Sequence, residues 1–344
     1  MNIFAKRQKQ IFMKRYFFPL VCFLMFYVSG YARNGFRVMF YNVENFFDCT
    51  HDSLKSDREF LPDGIRGWTP ARFWRKAGNI AKVISAVGED RFPEIVGLAE
   101  VENEHCIQSL LYGSPLKNAH YSYVHEESSD ARGVDVCLLY NRYLFSLIRY
   151  KAIKMVFEGE PAKKTRDVLY VCGKTLSADT LHIFVCHLPS RLGGELESEV
   201  YRRAVANLIR KETDRLLQGN RHSRILIMGD FNDYPADLSL SVDLGARSPD
   251  PVPDPLVLYN LMRPMCGKPD TGTNKHQSEW GILDQMLVSG TLLTKNSGCR
   301  IFDADFLLVQ DERWLGRKPF RTFYGMVYQG GFSDHLPVYA DFDF

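Results

Sequence analysis

The sequence has no Cys-x-x-Cys pair and no Cys/His cluster, so nothing in it marks a structural zinc site. It has no low-complexity linker and no internal repeat of about 20–50 residues, which argues against solenoids and propellers. Its longest apolar run, Tyr16 to Val28, spans about 13 residues, short of the roughly 20 that a membrane helix needs. It also lacks a strong excess of either charge: 43 Lys and Arg stand against 41 Asp and Glu, a net charge of +2. Residues 1–32 hold no acid at all and five bases, Lys6, Arg7, Lys9, Lys14 and Arg15. Beyond them 38 bases face 41 acids, a balance of −3. That balance indicates no broad basic groove for tight duplex binding, while leaving room for a local patch.

What is present is an ordinary globular composition. Hydrophobic residues make up 45% and charged residues 24%, which excludes wholesale disorder, collagen-like repeats and a multi-span membrane protein. At 344 residues the chain is long enough for one large α/β domain with a substantial core and no need of disulfide or metal staples. Basic residues, then the apolar run, then Ser29-Gly30-Tyr31-Ala32 form the layout of a secretory signal peptide cut after Ala32. The expectation is a signal peptide over 1–32 and one domain over 33–344. The protein would be exported across the inner membrane, periplasmic or secreted; an uncleaved anchor is the alternative. Met13 offers a second start, and Cys22 lacks the small residue before it that a lipoprotein cut requires. Seven cysteines follow Ala32, an odd number that cannot all pair internally. Cys137, Cys172 and Cys186 sit in strand-like runs as small hydrophobes, and Cys172 and Cys186 flank an expected turn that would let them lie side by side.

Periodicity predicts strands at 37–42, 95–99, 121–124, 134–140, 145–151, 168–172, 181–187, 225–228, 282–288, 302–308 and 336–340. It predicts a helix from Pro70 to about Val87, capped by Thr69, with Phe73, Ala77, Ile80, Val83, Ile84 and Val87 on one face. A second helix is expected over 198–217, with Val200, Ala204, Leu208 and Leu216 near one stripe. Two groups of short apolar strands with intervening helices suggest two packed sheets flanked by helices.

The chemistry sits at the strand ends. Asn42 ends the first strand, with Glu44 close behind, and Glu100 ends IVGLAE. Asp135 lies in ARGVDVCLLY, His187 ends LHIFVCH, and Asp230 and Asn232 end ILIMGDFND. Asp284 lies in GILDQMLVS, and Asp334 and His335 open the last strand in GFSDHLPVY. Buried runs that end in carboxylates, amides and imidazoles are costly unless those groups meet a ligand or one another. Converging, they would make an oxygen-rich pocket for a hard divalent cation, with two histidines for proton transfer.

This conjunction, with GDFND and SDHLPV as its most specific parts, resembles the endonuclease/exonuclease/phosphatase superfamily over roughly residues 36–344. The resemblance implies a four-layered α/β sandwich, two packed mixed β-sheets flanked by helices, and metal-dependent phosphoester hydrolysis. It implies Glu100 as the principal metal ligand with Asn42 beside it and Asp334 near the metal. His335 would lie near the scissile phosphate, oriented by Asp284. Asp230 and Asn232 would position nucleophile, metal and phosphate. His187 matches the second histidine of the deoxyribonuclease and sphingomyelinase branches, and Asp135 stands where some members carry its carboxylate partner. The implied cofactor is Mg²⁺ first, with Mn²⁺ or Ca²⁺ as alternatives.

Substrate choice is less legible. Met228 and Asp233 stand where inositol 5-phosphatases have Trp and Arg, which lowers that reading. HLPSR followed by Gly193-Gly194 resembles a stretch of secreted bacterial nucleases. Arg191 reads equally as a phosphate contact or a loop arginine. Lys275 is placed to meet substrate, and Trp280 reads as a stacking platform or as core. The expectation is an exported endonuclease of weak sequence preference, acting as a monomer on nucleic acid, DNA favoured, without a stable protein partner. A sphingomyelinase-type lipid phosphodiesterase is the alternative and would need a hydrophobic hairpin, for which only Phe320 to Tyr328 is a candidate. A decayed binding protein is a third option, disfavoured because every expected catalytic position is filled.

Overall fold

The computed structural model describes residues 35–293 and 298–344. The expected signal peptide and Cys22 lie outside the described residues. No helix among the described residues is long and apolar enough to cross a membrane. The strands are β1 (Phe36–Phe46), β2 (Ile95–Val101), β3 (Tyr121–His125), β4 (Asp135–Asn141), β5 (Phe145–Ile153), β6 (Val168–Thr175), β7 (Thr180–His187), β8 (Arg224–Asp230) and β9 (Leu258–Asn260). They continue with β10 (Asn274–His276), β11 (Glu279–Gly281), β12 (Asp284–Ser289), β13 (Cys299–Ile301), β14 (Leu308–Gln310), β15 (Arg317–Pro319), β16 (Phe323–Tyr324), β17 (Val327–Tyr328) and β18 (Val338–Phe342). The α-helices are α1 (Pro70–Gly88), α2 (Glu104–Gly113) and α3 (Glu195–Gly219).

Two six-stranded mixed sheets result, ordered β13-β18-β1-β2-β4-β3 and β5-β6-β7-β8-β12-β9. Each has one parallel pair at its middle, β1 with β2 and β7 with β8. A parallel pair needs a crossover, which α1 and α3 supply. Strand residues alternate between two cores. Val38 and Phe40 of β1 pack between the sheets with Ile183 and Met228, whereas Met39 and Tyr41 face Phe73, Ala77 and Ile80 of α1. On the second sheet Leu226 and Met228 face inward, and Ile225 and Ile227 meet Val205 and Ile209 of α3. The order is helices, sheet, sheet, helix: the expected sandwich.

Four local expectations need correction. Residues 302–308 are not one strand: a 3₁₀ turn at Asp305–Leu307 separates β13 from β14. Thr69 stands at the start of α1 without a side-chain cap; only its carbonyl accepts, from Phe73. The inward face of α3 is Arg202, Val205, Ala206, Ile209, Thr213 and Leu217, and Val200 is exposed. Apolar periodicity misses that face because Arg202 turns inward to Asp233, Nε to Oδ1 at 2.6 Å. Cys172 and Cys186 are both free: Cys172 lies opposite His182, and Cys186 lies opposite Gly229. As small hydrophobes, Cys137, Cys172 and Cys186 are all buried.

Gly229, just before Asp230, sets how closely β7 and β8 approach. A Cβ there would lie 2.2 Å from the Cys186 carbonyl oxygen and 2.5 Å from its Sγ. Gly229→Ala is therefore expected to cost about 3 kcal/mol, the upper end of overpacking penalties, read as a lowered urea midpoint at constant m. A loss under about 1 kcal/mol would show that the strand pair yields freely.

Candidate active site

The parallel strands deliver their last residues to one edge. His187 at the end of β7 is in register with Asp230 at the end of β8. Asp230 is in register with Asp284 at the start of antiparallel β12. His187, Asp230 and Asp284 thus form one row across the second sheet. The first sheet brings Asn42 from β1 and Glu100 from β2, and His335 precedes β18. Asn42 joins the two sheets: its Nδ2 donates to Asp230 Oδ2 at 3.0 Å.

Backbone strain aims several of these side chains. Glu44, Asn45, Glu100 and Asn232 have φ of 53°, 55°, 64° and 51°, the left-handed region that non-glycine residues rarely enter. Glu100 is the extra residue of a bulge, since Ala99 pairs with Val136 and Val101 with Asp135. Strain of this kind costs on the order of 1–3 kcal/mol per residue and concentrates at functional sites.

Asp230 Oδ2 is the hub. His187 Nε2 lies 3.6 Å from it and His335 Nε2 lies 3.7 Å from it. Both distances are too long for a hydrogen bond, so the imidazoles face the carboxylate across a shared space. Asp230 Oδ1 accepts the Asn232 N–H at 2.9 Å. His335 Nδ1 is bound to Asp284 Oδ2 at 2.7 Å, the orienting contact expected for that pair.

Burial pushes the Asp230 carboxyl up to about 7, and the Asp284 charge adds to that; the His335 charge, the Asn232 N–H and the Asn42 amide oppose it. For His335, burial favours the neutral form, but Asp284, Asp230 and Asp334 outweigh it and hold the imidazole well above its ordinary range. His187 goes the other way. Burial, with the charges of Arg166, Arg132 and His335, holds it well below.

The other anticipated residues are placed as follows. Glu100 Oε2 accepts the Asn45 N–H at 2.9 Å, and its Oε1 lies 3.6 Å from Arg132 and 3.9 Å from His187 Nε2. Asp334 points to Arg321, Oδ2 to Nη2 at 2.9 Å. Glu100, Asn42 and Asp334 therefore line one edge without closing into a single cluster. Asn232 Nδ2 donates to the Leu188 carbonyl at 3.0 Å. Asp135 does not join His187. Its Oδ2 accepts the Ser128 N–H at 3.2 Å, and neither its Oδ1 nor His187 Nδ1 has a hydrogen-bond partner. Asp135 lies opposite Val101 in the β4 register, and burial pushes its carboxyl up to about 6. Arg191 is spent inside the protein, donating to the Asn232 carbonyl at 2.6 Å and to Asp237 at 2.9 Å; it braces the Asn232 turn. Lys275 contacts Asp311 and the Leu315 carbonyl. Trp280 is half-buried against the core of the first sheet.

Sequence reasoning assigns no role to the groups that surround Glu44. Its carboxylate accepts the Thr322 N–H at 2.6 Å and lies 3.5 Å from Arg321 Nε. Buried Lys76 of α1 donates to Thr322 Oγ1 at 2.6 Å and to the Phe332 carbonyl at 2.5 Å. Burial pushes Glu44 up to about 7, with Asp334 adding to it, and pulls Lys76 down to about 8. The usable signal was Glu44 itself, two residues past Asn42 in YNVENF; Lys76 and Arg321 carry none.

The donor set fits a hard divalent cation. Glu44, Glu100, Asp230, Asp334 and Asn42 offer carboxylate and amide oxygens at one edge. Among the described residues, the ligand atoms of Asp230, Asp284 and His335 lie within 4.8 Å of one another.

Acids and imidazoles at one edge of a two-sheet sandwich define the architecture of a phosphoester hydrolase. Residues 37–343 match the Endonuclease/Exonuclease/phosphatase family, and the chain belongs to it. Three solved structures share the fold. The human nocturnin catalytic domain with bound sulfate is 17% identical with a TM-score of 0.54, covering 91% of this chain and 96% of that one. The Bacteroides thetaiotaomicron mannosyl-6-phosphatase is 16% identical with a TM-score of 0.55, covering 90% and 100%. Danio rerio TDP2 complexed with single-strand DNA product is 14% identical with a TM-score of 0.52, covering 91% and 100%. No curated protein matches by sequence.

The raised acids fix a pH dependence. Between their ordinary values near 4 and the folded values, the native state holds protons that the unfolded chain has lost. Glu44 and Asp230, near 7, and Glu102, pushed up to about 8 mainly by burial, thus stabilise at low pH and lose that contribution as pH rises. His187 contributes oppositely, but its contribution is complete above about 6.5, the ordinary histidine value. The metal-free Tm is therefore expected to fall from pH 6.5 to 8, the point above which the lowered Lys76 begins to oppose the trend, and Mn²⁺ to raise it more at pH 8. A flat profile with equal Mn²⁺ shifts would contradict the assignment.

Proposed function

We propose that this site hydrolyses phosphodiester bonds with a divalent cation, Mg²⁺ first and Mn²⁺ or Ca²⁺ as alternatives, and that its substrate is nucleic acid, DNA before RNA. The observation that carries the reading is the pair of imidazoles facing one carboxylate oxygen, one held above and the other below its ordinary range. Two titratable groups pushed apart by their surroundings are what acid and base roles require. Glu100 and Glu44, with Asn42 and Asp334 alongside, would hold the cation. When bound, it supplies Lewis-acid neutralisation of the phosphoryl oxygens, whose charge otherwise repels a nucleophile.

The chain's own groups do the rest. His335, fixed through Nδ1 by Asp284, presents a charged Nε2–H donor to a phosphoryl oxygen. Asp230, near 7, accepts the proton of an attacking water. His187, held neutral, presents Nε2 on the other side of the same carboxylate. The Asn42 and Asn232 amides add uncharged donors for the charge that develops on the pentavalent state.

Basic side chains flank the site on both sides. Lys163, Lys164 and Arg166 line a cleft on the His187 side, and Lys275 and Arg321 line one on the Asp334 side. The DNA product in the Danio rerio TDP2 structure agrees with a nucleic-acid substrate on this fold. The N-terminal layout supports the further proposal of export to the periplasm or medium. One observation favours a second reading, a lipid phosphodiesterase: the β16–β17 hairpin exposes Tyr324, Met326 and Val327.

A panel of DNA, RNA, sphingomyelin, inositol phosphates and bis-p-nitrophenyl phosphate tests this, with Mg²⁺ or Mn²⁺ and then with chelator. DNA cleavage abolished by chelator is the expected result; activity unchanged by chelator would sink the metal reading, and sphingomyelin turnover with DNA intact would select the second. His335→Ala is expected to lower kcat about 100- to 10,000-fold, or about 3–5 kcal/mol of transition-state stabilisation. A loss under tenfold would remove His335 from the chemistry.

A further inference from the structure

The cleft on the Asp334 side has a built floor. Asp311, 2% exposed, accepts the N–H groups of Arg313 and Trp314, both at 3.2 Å, and so fixes the turn between β14 and β15. It also draws in two ammonium groups, Lys318 Nζ at 3.2 Å and Lys275 Nζ at 3.4 Å. One carboxylate thus faces two lysines and leaves positive charge over. Arg313 adds more, since no carboxylate pairs with it among the described residues.

Aromatic surface stands beside each outer cation. Arg313 lies over the Trp314 ring at 5.2 Å, and Lys318 Nζ lies over the Tyr324 ring at 5.1 Å. Trp314 is 40% and Tyr324 50% exposed, so both rings keep a wet surface. The cleft they line holds about 320 Å³ and runs to Arg321 and Asp334. It is tied to the catalytic row by backbone as well. Asn274, next to Lys275, bridges to His335, and its Nδ2 donates to the Asp334 carbonyl at 2.9 Å.

Cations next to exposed rings match a ligand that carries an anionic oxygen cluster and a planar ring within a few ångströms. A nucleotide is that ligand. We propose that this cleft is the subsite for the nucleotide flanking the cleaved bond, with its phosphate between Arg313 and Lys318 and its base against Trp314 or Tyr324. The assignment rests on the nucleic-acid reading given above. It makes the β14–β15 turn a determinant of substrate grip, separate from the groups that break the bond.

The test compares two substrates of the same active site. A single-stranded DNA oligonucleotide reaches the cleft, whereas bis-p-nitrophenyl phosphate has no second phosphate to place there. The wild type is compared with Arg313→Gln/Lys318→Gln, and with Trp314→Leu and Lys318→Arg singly. In the double variant KM for the oligonucleotide is expected to rise about tenfold, and the salt slope of log KM to shrink by about 0.7 per cation removed. The kcat/KM for bis-p-nitrophenyl phosphate should stay within about twofold, since the catalytic row is untouched. Trp314→Leu should raise oligonucleotide KM without changing the salt slope, and Lys318→Arg should keep the wild-type KM. An unchanged oligonucleotide KM in the double variant overturns the subsite and leaves the nucleic-acid reading standing, as does an equal fall in both substrates. A wild type that turns over the small diester but neither binds nor cuts the oligonucleotide overturns both.

Discussion

One carboxylate oxygen, Asp230 Oδ2, holds the site together. Asn42 reaches it from the first sheet, His187 and His335 face it from either side, and Asp284 is its register neighbour. A carboxylate buried this deeply is costly unless donors surround it. Here the donors are the Asn42 amide and the Asn232 N–H, and two imidazoles face Oδ2. Stability and chemistry are therefore coupled: the contacts that make Asp230 tolerable also oppose the rise of its carboxyl, and Asp230 in turn helps to raise His335.

A second buried charge system supports the neighbouring acids. Lys76 rises from α1 into the loops that carry Thr322 and Phe332, and Thr322 in turn grips Glu44. Arg321 lies between Glu44 and Asp334. The helix that packs the outer face of the first sheet thus also ties down the segments that grip Glu44 and lead into Asp334 and His335. Of the strained residues, Glu44 is held by this framework, Asn45 donates to Glu100, and the Asn232 turn is braced by Arg191.

Much of this was written locally in the sequence. An apolar strand that stops at Asp230 or His187 announces a polar group at a sheet edge, and the Phe73 to Val87 spacing announces the face of α1 that packs on β1. What escaped was set by long-range partners. Arg202 reads as an outward helix residue until Asp233 is folded beneath it. Asp135 reads as a partner for His187, yet its hydrogen bond goes to the Ser128 N–H, a loop contact no strand pattern encodes. Arg191 reads as a free cation until the Asn232 turn and Asp237 consume its donors. Lys76 and Arg321 reach Glu44 from far along the chain, and no spacing rule encodes that meeting. The β14–β15 platform escaped for a different reason: its strands are three residues each, too short to show a period.

The central claim is that two histidines facing one carboxylate titrate apart, His335 raised by Asp284 and Asp230 and His187 lowered by burial and the charges of Arg166 and Arg132, and ¹⁵N NMR of the imidazoles across pH 5 to 8 tests it most directly. His335 should keep both ring nitrogens protonated through neutral pH, while His187 stays neutral down to acidic pH. If both rings titrated together near 6.5, the ordinary histidine value, the two would share one environment and the account would be contradicted.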